Sequence, residues 1–562
     1  MRIPAAALCL LVLGCARELR STHPENWLEL QSDHFTLRTD LPEEDARKDI
    51  ADLELLRSAL LVAGWHGKSS SPSRIGVVAV ANGRELHEIL TDEIEGVATI
   101  DRFGERLILV PGNGDLLDSD TVKHEVAHAL FRESSITRPR WVDEGLAVFL
   151  ETVDINRRKG TVKRGDIYWE RRDWLREHPL AVLTTNWSLQ VMGMGSTGDH
   201  LNGYQFETMA WGLLHWLVDD DPKKFETFIG RLARGDGMWT AFNGTYPGLT
   251  EAKIQQAMVK YLKSTDYAKK LRFPVQPWKG EVAVRRPPPA EVHALRAELF
   301  ARLGERPNAR RKFDEELALS KAADPANPLM LALSENNPNL KLAIDQHPED
   351  WRSWELWYDE NERDVAAIRT AWSLAPDNAG VLARLALAEQ REGDTHQALL
   401  HAERAVAISP GALALDSLAA VYEQNGRCGE AVIAEERAVD ALHDRVDARL
   451  PGLFRERLQE IVSRCGKDGV IGSDTRFVHT EPVLKLCRQP PTVLGGSTDG
   501  VSAQFTIRED GTVTAVAIRG SQDDRESGVL RQFIESCSFE PVVVAGKARQ
   551  VQLNLKLNAL LH

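Results

Sequence analysis

Cysteine is scarce, with six in 562 residues, and none of them stands in a C-x-x-C pair. That spacing excludes a zinc ribbon and a thioredoxin-like redox site. Setting aside Cys9 and Cys15 leaves Cys428, Cys465, Cys487 and Cys537, an even number confined to the C-terminal third and free to form disulfides in an oxidising compartment. A surplus of basic charge is also missing. Lysine and arginine number 69 against 83 acidic residues, a net charge of −14. A dedicated nucleic-acid binder is therefore not expected, and an anionic membrane surface has little to attract. Long apolar runs are absent beyond the first residues. The twelve from Ile3 to Gly14 are too few to span a bilayer but suit the core of a signal peptide.

What is present is length and a changing pattern. A chain of 562 residues exceeds what one core can organise, so a multidomain architecture is expected. The segment "NWLELQSDHFTLRTD" (26–40) is extended, and Pro42 to Ala63 carries Ala46, Ile50, Leu53 and Leu60 near a helical period. "RIGVVAVA" (74–81) and "RLILVP" (106–111) read as short buried strands, and helical patterns then run to about residue 270. Together these predict an α+β domain over 26–271. The proline-rich stretch 272–288 marks a linker.

From 289 to 465 the chain turns rich in Ala, Leu, Glu and Arg. Pro376 and Pro410 are 34 apart, and Ala398 and Ala431 are 33 apart, while Gly393 and Gly426 fall where turns would separate paired helices. After residue 480, Ala503, Phe505 and Ile507 alternate with polar residues, and Asp510-Gly511 supplies a hairpin turn. A helix with Leu530, Phe533 and Ile534 follows, then a strand with Val551, Leu553 and Leu555, giving a ββαβ order.

The chemistry centres on "TVKHEVAHALF" (121–131). On a helix His124 and His128 lie about 40° apart and roughly 6 Å along the axis, within reach of one metal ion. Val122, Val126, Ala129 and Leu130 form the opposite, anchoring stripe. Glu125 sits beside the histidines without sharing their face. A catalytic metal needs a third protein ligand. Glu133 points to the other side of the helix. In "RPRWVDEGLAVFLE" (138–151) Pro139 breaks the chain and a second helix starts near Trp141, so that Glu144 can return to the histidines, with Asp143 and Glu151 as rivals. Gly145 and Ala147 would let two helices pack closely.

H-E-x-x-H followed by W-x-x-E-G-x-A resembles the peptidase-MA-like gluzincins over about residues 27–270, with "WLELQSDHFTLRTD" as their opening strand and "MAWGLLHWL" as a later helix. The resemblance implies a zincin-like fold and a zinc ion on His124, His128 and Glu144. It also implies Glu125 as general base in the hydrolysis of a peptide or protein substrate. Many members of that family carry Tyr where this chain has Glu207, which leaves Tyr204 or His215, on the same helix, as substitute donors to the developing oxyanion. The segment 289–465 resembles tetratricopeptide repeats, which implies a protein partner. Residues 480–562, with "DGTV" and "FEP", resemble the C-terminal domain of TonB-type proteins, read here as a binding or packing module. "VLGC" resembles a lipobox. It implies removal of residues 1–14, a lipidated Cys15 and a periplasm-facing anchor in a bacterial membrane. Ala16 favours the outer membrane, and a plain secretory signal cut elsewhere is the alternative. A different class of reading is a lipid-anchored scaffold with a non-catalytic metal site.

Overall fold

The computed structural model describes residues 24–65, 73–90, 96–177, 203–263, 271–441, 450–465, 484–486, 502–519 and 524–556, less a few short breaks within those spans. Met1–Ser134, Leu150–Asp166 and Lys270–Ala414 make one compact unit, and Ser135–Phe149, Ile167–Lys269 and Leu415–His562 make a second. The protein is mixed α/β, with a mixed sheet and many helices.

The extended opening segment is a hairpin, β1 (Leu28–Gln31) and β2 (Phe35–Thr39), paired Leu30↔Leu37. Glu54 fixes its turn, accepting from the Ser32 hydroxyl at 2.6 Å and the His34 amide at 2.8 Å. Helix α1 (Glu43–Trp65) supplies that carboxylate and buries Ala46, Ile50, Leu53 and Leu60 completely, as their spacing required. Next come β3 (Ile75–Val80), α2 (Gly83–Ile89), β4 (Val97–Ile100) and β5 (Arg106–Pro111). The β2–β3 and β3–β5 pairs are parallel and β4 is antiparallel to β5, in the order β4-β5-β3-β2-β1 with one later strand beyond β1. Helix α3 (Asp120–Ser134) follows, then α4 (Arg140–Glu151), which begins directly after Pro139.

Between residues 151 and 270, where helices alone were expected, the hairpin β6 (Asp154–Asn156) and β7 (Thr161–Arg164) intervenes. The helices are α5 (Trp169–Glu177), α6 (Gly203–Asp220), α7 (Pro222–Ala233), α8 (Met238–Thr245) and α9 (Glu251–Lys263). Helix α7 starts with Pro222 behind the N-cap Asp221, whose side chain accepts from the Lys224 amide.

The 272–288 stretch is more than a linker. Its β8 (Leu271–Pro274) extends the β6–β7 hairpin, and its β9 (Ala283–Arg285) joins the main sheet beside β1. A proline-rich composition hid these strands, because what holds β9 is a charge pair: Arg285 donates to Glu29 at 2.7 Å. Burial would raise the Glu29 pKa, but Arg38 and Arg285 together hold it down at about 2.

Helices then succeed one another: α10 (Pro289–Leu303), α11 (Ala309–Ala323), α12 (Pro328–Leu333), α13 (Leu340–Gln346), α14 (Trp351–Glu360), α15 (Val365–Leu374), α16 (Ala379–Glu392) and α17 (Thr395–Ile408). After them come α18 (Ala412–Gln424), α19 (Cys428–Asp440) and α20 (Leu450–Cys465). Gly393 (φ +87°) and Gly426 (φ +71°) make the left-handed turns between α16 and α17 and between α18 and α19. Ala398, Ala402, Ala405 and Ala431 are wholly buried, so their small side chains set the close helix approach that the 33-residue spacing suggested.

The last segment contains β10 (Leu484–Leu486), β11 (Ser502–Ile507), β12 (Val513–Arg519), α21 (Asp524–Glu535), β13 (Ser538–Phe539), β14 (Val542–Val544), β15 (Lys547–Arg549) and β16 (Val551–Lys556). The sheet order β12-β11-β16 keeps the expected ββαβ succession. Gly511 turns the hairpin at φ +85°. Ala503, Phe505 and Ile507 are fully buried with Leu530 and Ile534 of α21. Cys428 and Cys537 are each disulfide-bonded. The Cys487 position and the Cys465 side chain lie outside the described residues, as do residues 1–14 and Cys15. No described helix is long and apolar enough to cross a membrane.

Candidate metal centre

Helix α3 is anchored as its pattern required, with Val122, Val126, Ala129 and Leu130 at most 2% exposed. Its other side is also mostly covered. His128 is 9% exposed, and the His124 side chain is 15% exposed. The two imidazoles meet edge to face, ring centres 4.7 Å apart, with their Nε2 atoms 3.0 Å from each other. Two acceptor nitrogens brought that close require either a shared proton or a shared cation.

The tautomer follows from a third residue. Glu151, at the end of α4, accepts a hydrogen bond from Nδ1 of His124 at 2.6 Å. With the proton placed on Nδ1 by this network, the Nε2 lone pair of His124 is left to face His128. Sequence spacing had placed Glu151 among the rival ligands, but it holds a ligand histidine from behind.

Seven residues before Glu151 on the same helix stands Glu144. Seven helical residues amount to 700°, only about 20° from two full turns, so both carboxylates occupy one face. His124, His128 and Glu144 each offer one ligand atom, and these atoms all lie within 4.8 Å of one another. Among the described residues this is the one group of three able to hold a metal ion, and Asp143 is not in it. Two imidazole nitrogens and one carboxylate oxygen form a donor set suited to zinc, with a coordination position to spare. Glu133 is committed elsewhere, in ion pairs with Arg106 at 2.5 Å and Arg57 at 3.5 Å.

Helix α4 is positioned by packing. Trp141 stacks on Phe228 of α7, ring centres 5.9 Å apart. Gly145 lies directly against α6, where an added Cβ would come within 2.8 Å of the Ala210 carbonyl oxygen. The small residue after Glu144 thus does bring two helices together, the partner being α6. Lys123 ties the far end of α4 down, donating to the Glu151 carbonyl oxygen at 3.1 Å.

Glu125 is 8% exposed on α3. Gly96, just before the edge strand β4, passes over it: a Cβ there would meet Thr121 Cγ2 at 2.5 Å and Glu125 Cγ at 3.4 Å. Nothing in the local sequence marked Gly96, since its need for a missing side chain arises only from the approach of β4 to α3.

The substitute donors occupy different surroundings. His215 is 1% exposed, flanked by the rings of Phe149 and Trp211 at 5.3 and 5.4 Å. Its Nδ1 lies 2.5 Å from the Tyr261 hydroxyl, which donates onward to Asp219 at 2.7 Å. Tyr204 is 42% exposed, with the Arg171 guanidinium 4.8 Å from its ring. The same Arg171 pairs with Glu207 at 3.1 Å and donates to Thr208 at 3.1 Å. The face of α6 that carries both residues is internal beyond Tyr204: Thr208, Trp211 and His215 are as buried as Met209 and Leu213 on the opposite side.

These donors must be interpreted from their own arrangement: the chain matches no protein-family model, and a search of curated proteins found no match.

Proposed function

We propose that this chain is an exported zinc-dependent metallopeptidase of the peptidase-MA-like gluzincin type, acting on a peptide or protein substrate. The observation that carries the reading is the convergence of His124, His128 and Glu144 within 4.8 Å, with the carboxylate of Glu125 on the same helix as the histidines and outside their group. A purely structural metal site has no use for that fourth residue.

His124, His128 and Glu144 would hold the ion, and Glu151 would keep His124 in the tautomer that presents Nε2. A zinc ion bound there supplies Lewis acidity, polarising a substrate carbonyl and acidifying water. Glu125 takes the water's proton on its carboxylate and passes it to the leaving amine. Its cover by Gly96 limits the carboxylate's freedom, so it is oriented before substrate arrives. Tyr204 and His215 remain the proposed donors to the oxyanion, Tyr204 from an exposed position and His215 from within the helix packing.

The repeat-like helices over 289–465 and the ββαβ segment over 480–562 are proposed as tetratricopeptide-like and TonB-like modules that bind a protein partner. Cys15 is proposed as the lipid anchor on the periplasmic face of a bacterial membrane, the outer membrane in Gram-negative cells. Release of a Cys15→Ser variant into the soluble fraction tests that placement.

One observation favours the second reading, a lipid-anchored scaffold with a non-catalytic site: Glu207, where many members of that family carry Tyr, is held by Arg171. Zinc-loaded protein and its Glu125→Gln variant, offered a peptide library, separate the two. The peptidase reading expects hydrolysis that falls on the order of 10²- to 10⁴-fold in Glu125→Gln while zinc content is unchanged. Zinc retained by a native protein that cleaves nothing supports the scaffold.

A further inference from the structure

The main sheet covers its two faces unequally. Leu30, Leu37 and Val77 on one face are fully buried. On the other, β1 and β2 carry Glu29, Gln31, Thr36 and Arg38, and this polar half-face lines a cavity of about 480 Å³. Trp351 and Arg352 at the start of α14, Leu374 at the end of α15 and the loop residues 375–378 add to its wall, and the whole cavity belongs to the first compact unit. Its volume is that of a small-molecule site.

The charge inside runs against that of the chain. Arg38, Arg74, Arg106, Arg285 and Arg352 line it against three acids, in a protein of net charge −14. Each acid already has a cation. Glu29 takes Arg38 at 2.8 Å and Arg285 at 2.7 Å, Glu105 takes Arg352 at 3.6 Å, and Asp377 takes Arg404 at 2.6 Å. Arg106 is committed to Glu133.

Two guanidinium groups keep capacity in reserve. Arg74 donates through Nε to the Ser32 carbonyl oxygen at 2.7 Å, and Arg38 donates through Nε to Glu29 at 2.8 Å. Among the described residues the Nη groups of both have no acceptor. The Arg38 side chain is 20% exposed, and its Nη groups face the cavity it lines. Between these arginines the strand contains a glycine: an added Cβ at Gly76 would stand 3.2 Å from the Arg106 carbonyl oxygen and 3.8 Å from Nη1 of Arg38. Leu107 Cδ1 is also within 3.3 Å of that Cβ, so the glycine lets β5 pack closely against β3 beside Arg38.

We infer that this cavity is a binding site for a small multivalent oxyanion, phosphate- or carboxylate-bearing, held by the Nη groups of Arg38 and Arg74 over Gly76. A planar guanidinium offers paired donors that match either oxyanion, and the surrounding ion pairs fix the arginines before the ligand arrives. The site is separate from the metal centre and does not depend on the peptidase reading.

Calorimetric titration of the native protein with pyrophosphate and with citrate tests the inference. Because both anions also chelate zinc, the His124→Ala/His128→Ala variant is titrated in parallel. Saturable binding is expected in both proteins, weakened about tenfold or more by Arg74→Gln, an exposed substitution that leaves the fold intact. Gly76→Ala is expected to weaken it too, and Arg310→Gln, outside the cavity, to leave it unchanged. The tighter of the two anions assigns the site to phosphate or to carboxylate. Absence of saturable binding in the native protein overturns the proposal. So does binding that survives Arg74→Gln, or that is lost with the two histidines.

Discussion

Glu151 accepts a hydrogen bond from Nδ1 of His124 at 2.6 Å, two helical turns after Glu144 on the same face of α4. One helix therefore supplies both a ligand carboxylate and the carboxylate that orients a ligand imidazole. Glu151→Ala should lower zinc affinity by about 10- to 100-fold, the usual effect of losing such a partner, without abolishing binding. Competition against a chromophoric chelator measures it. Native affinity in the variant would show that His124 needs no help from behind.

Gly145→Ala should destabilise the protein by about 1–3 kcal/mol, because the new methyl must displace either α4 or α6. The contact it meets is backbone, the Ala210 carbonyl oxygen at 2.8 Å, which cannot swing aside as a side chain would. Urea denaturation gives the stability, and the same sample's zinc content reports whether Glu144 has moved with its helix.

Glu355 of α14 is fully buried, and burial lifts its pKa from 4.5 to about 7 despite Arg384 at 2.7 Å. A folded-state pKa above the unfolded one favours the protonated native form. Its contribution is full below about pH 4.5 and is lost as pH rises through about 7, up to roughly 3 kcal/mol. Glu355→Gln should therefore remove part of the native protein's decline in melting temperature between pH 5 and pH 8. Parallel melting curves for the two proteins would refute the assignment.

Exported protein should contain the disulfides Cys428–Cys465 and Cys487–Cys537. Cys428 opens α19 and Cys465 closes α20, while the β10–β13 pairing sets Leu486 opposite Ser538, the neighbours of the second pair. Peptide mapping without reduction should recover both linkages. Four free thiols, or a Cys428–Cys537 link, would exclude this connectivity.

Periodicity alone determined the local elements that matter most here. The short apolar runs of 74–81 and 106–111 and the apolar stripes of 42–63 and 121–131 give β3, β5, α1 and α3, because burial dictates residue type all along a covered strand and at helical intervals on a covered helix face. His124 and His128 were legible for the same reason: four residues is one turn, whatever surrounds the helix. The choice among Asp143, Glu144 and Glu151 was not. It rests on which carboxylate oxygen comes within 4.8 Å of both imidazoles, and only tertiary structure decides that. Likewise β9 could not be read from a proline-rich stretch, since its place beside β1 rests on Arg285 reaching Glu29, 256 residues away. Gly96 and Gly76 show the limit most clearly. A glycine's sequence neighbours do not reveal what its missing side chain makes room for, and only the approach of other strands and helices decides that.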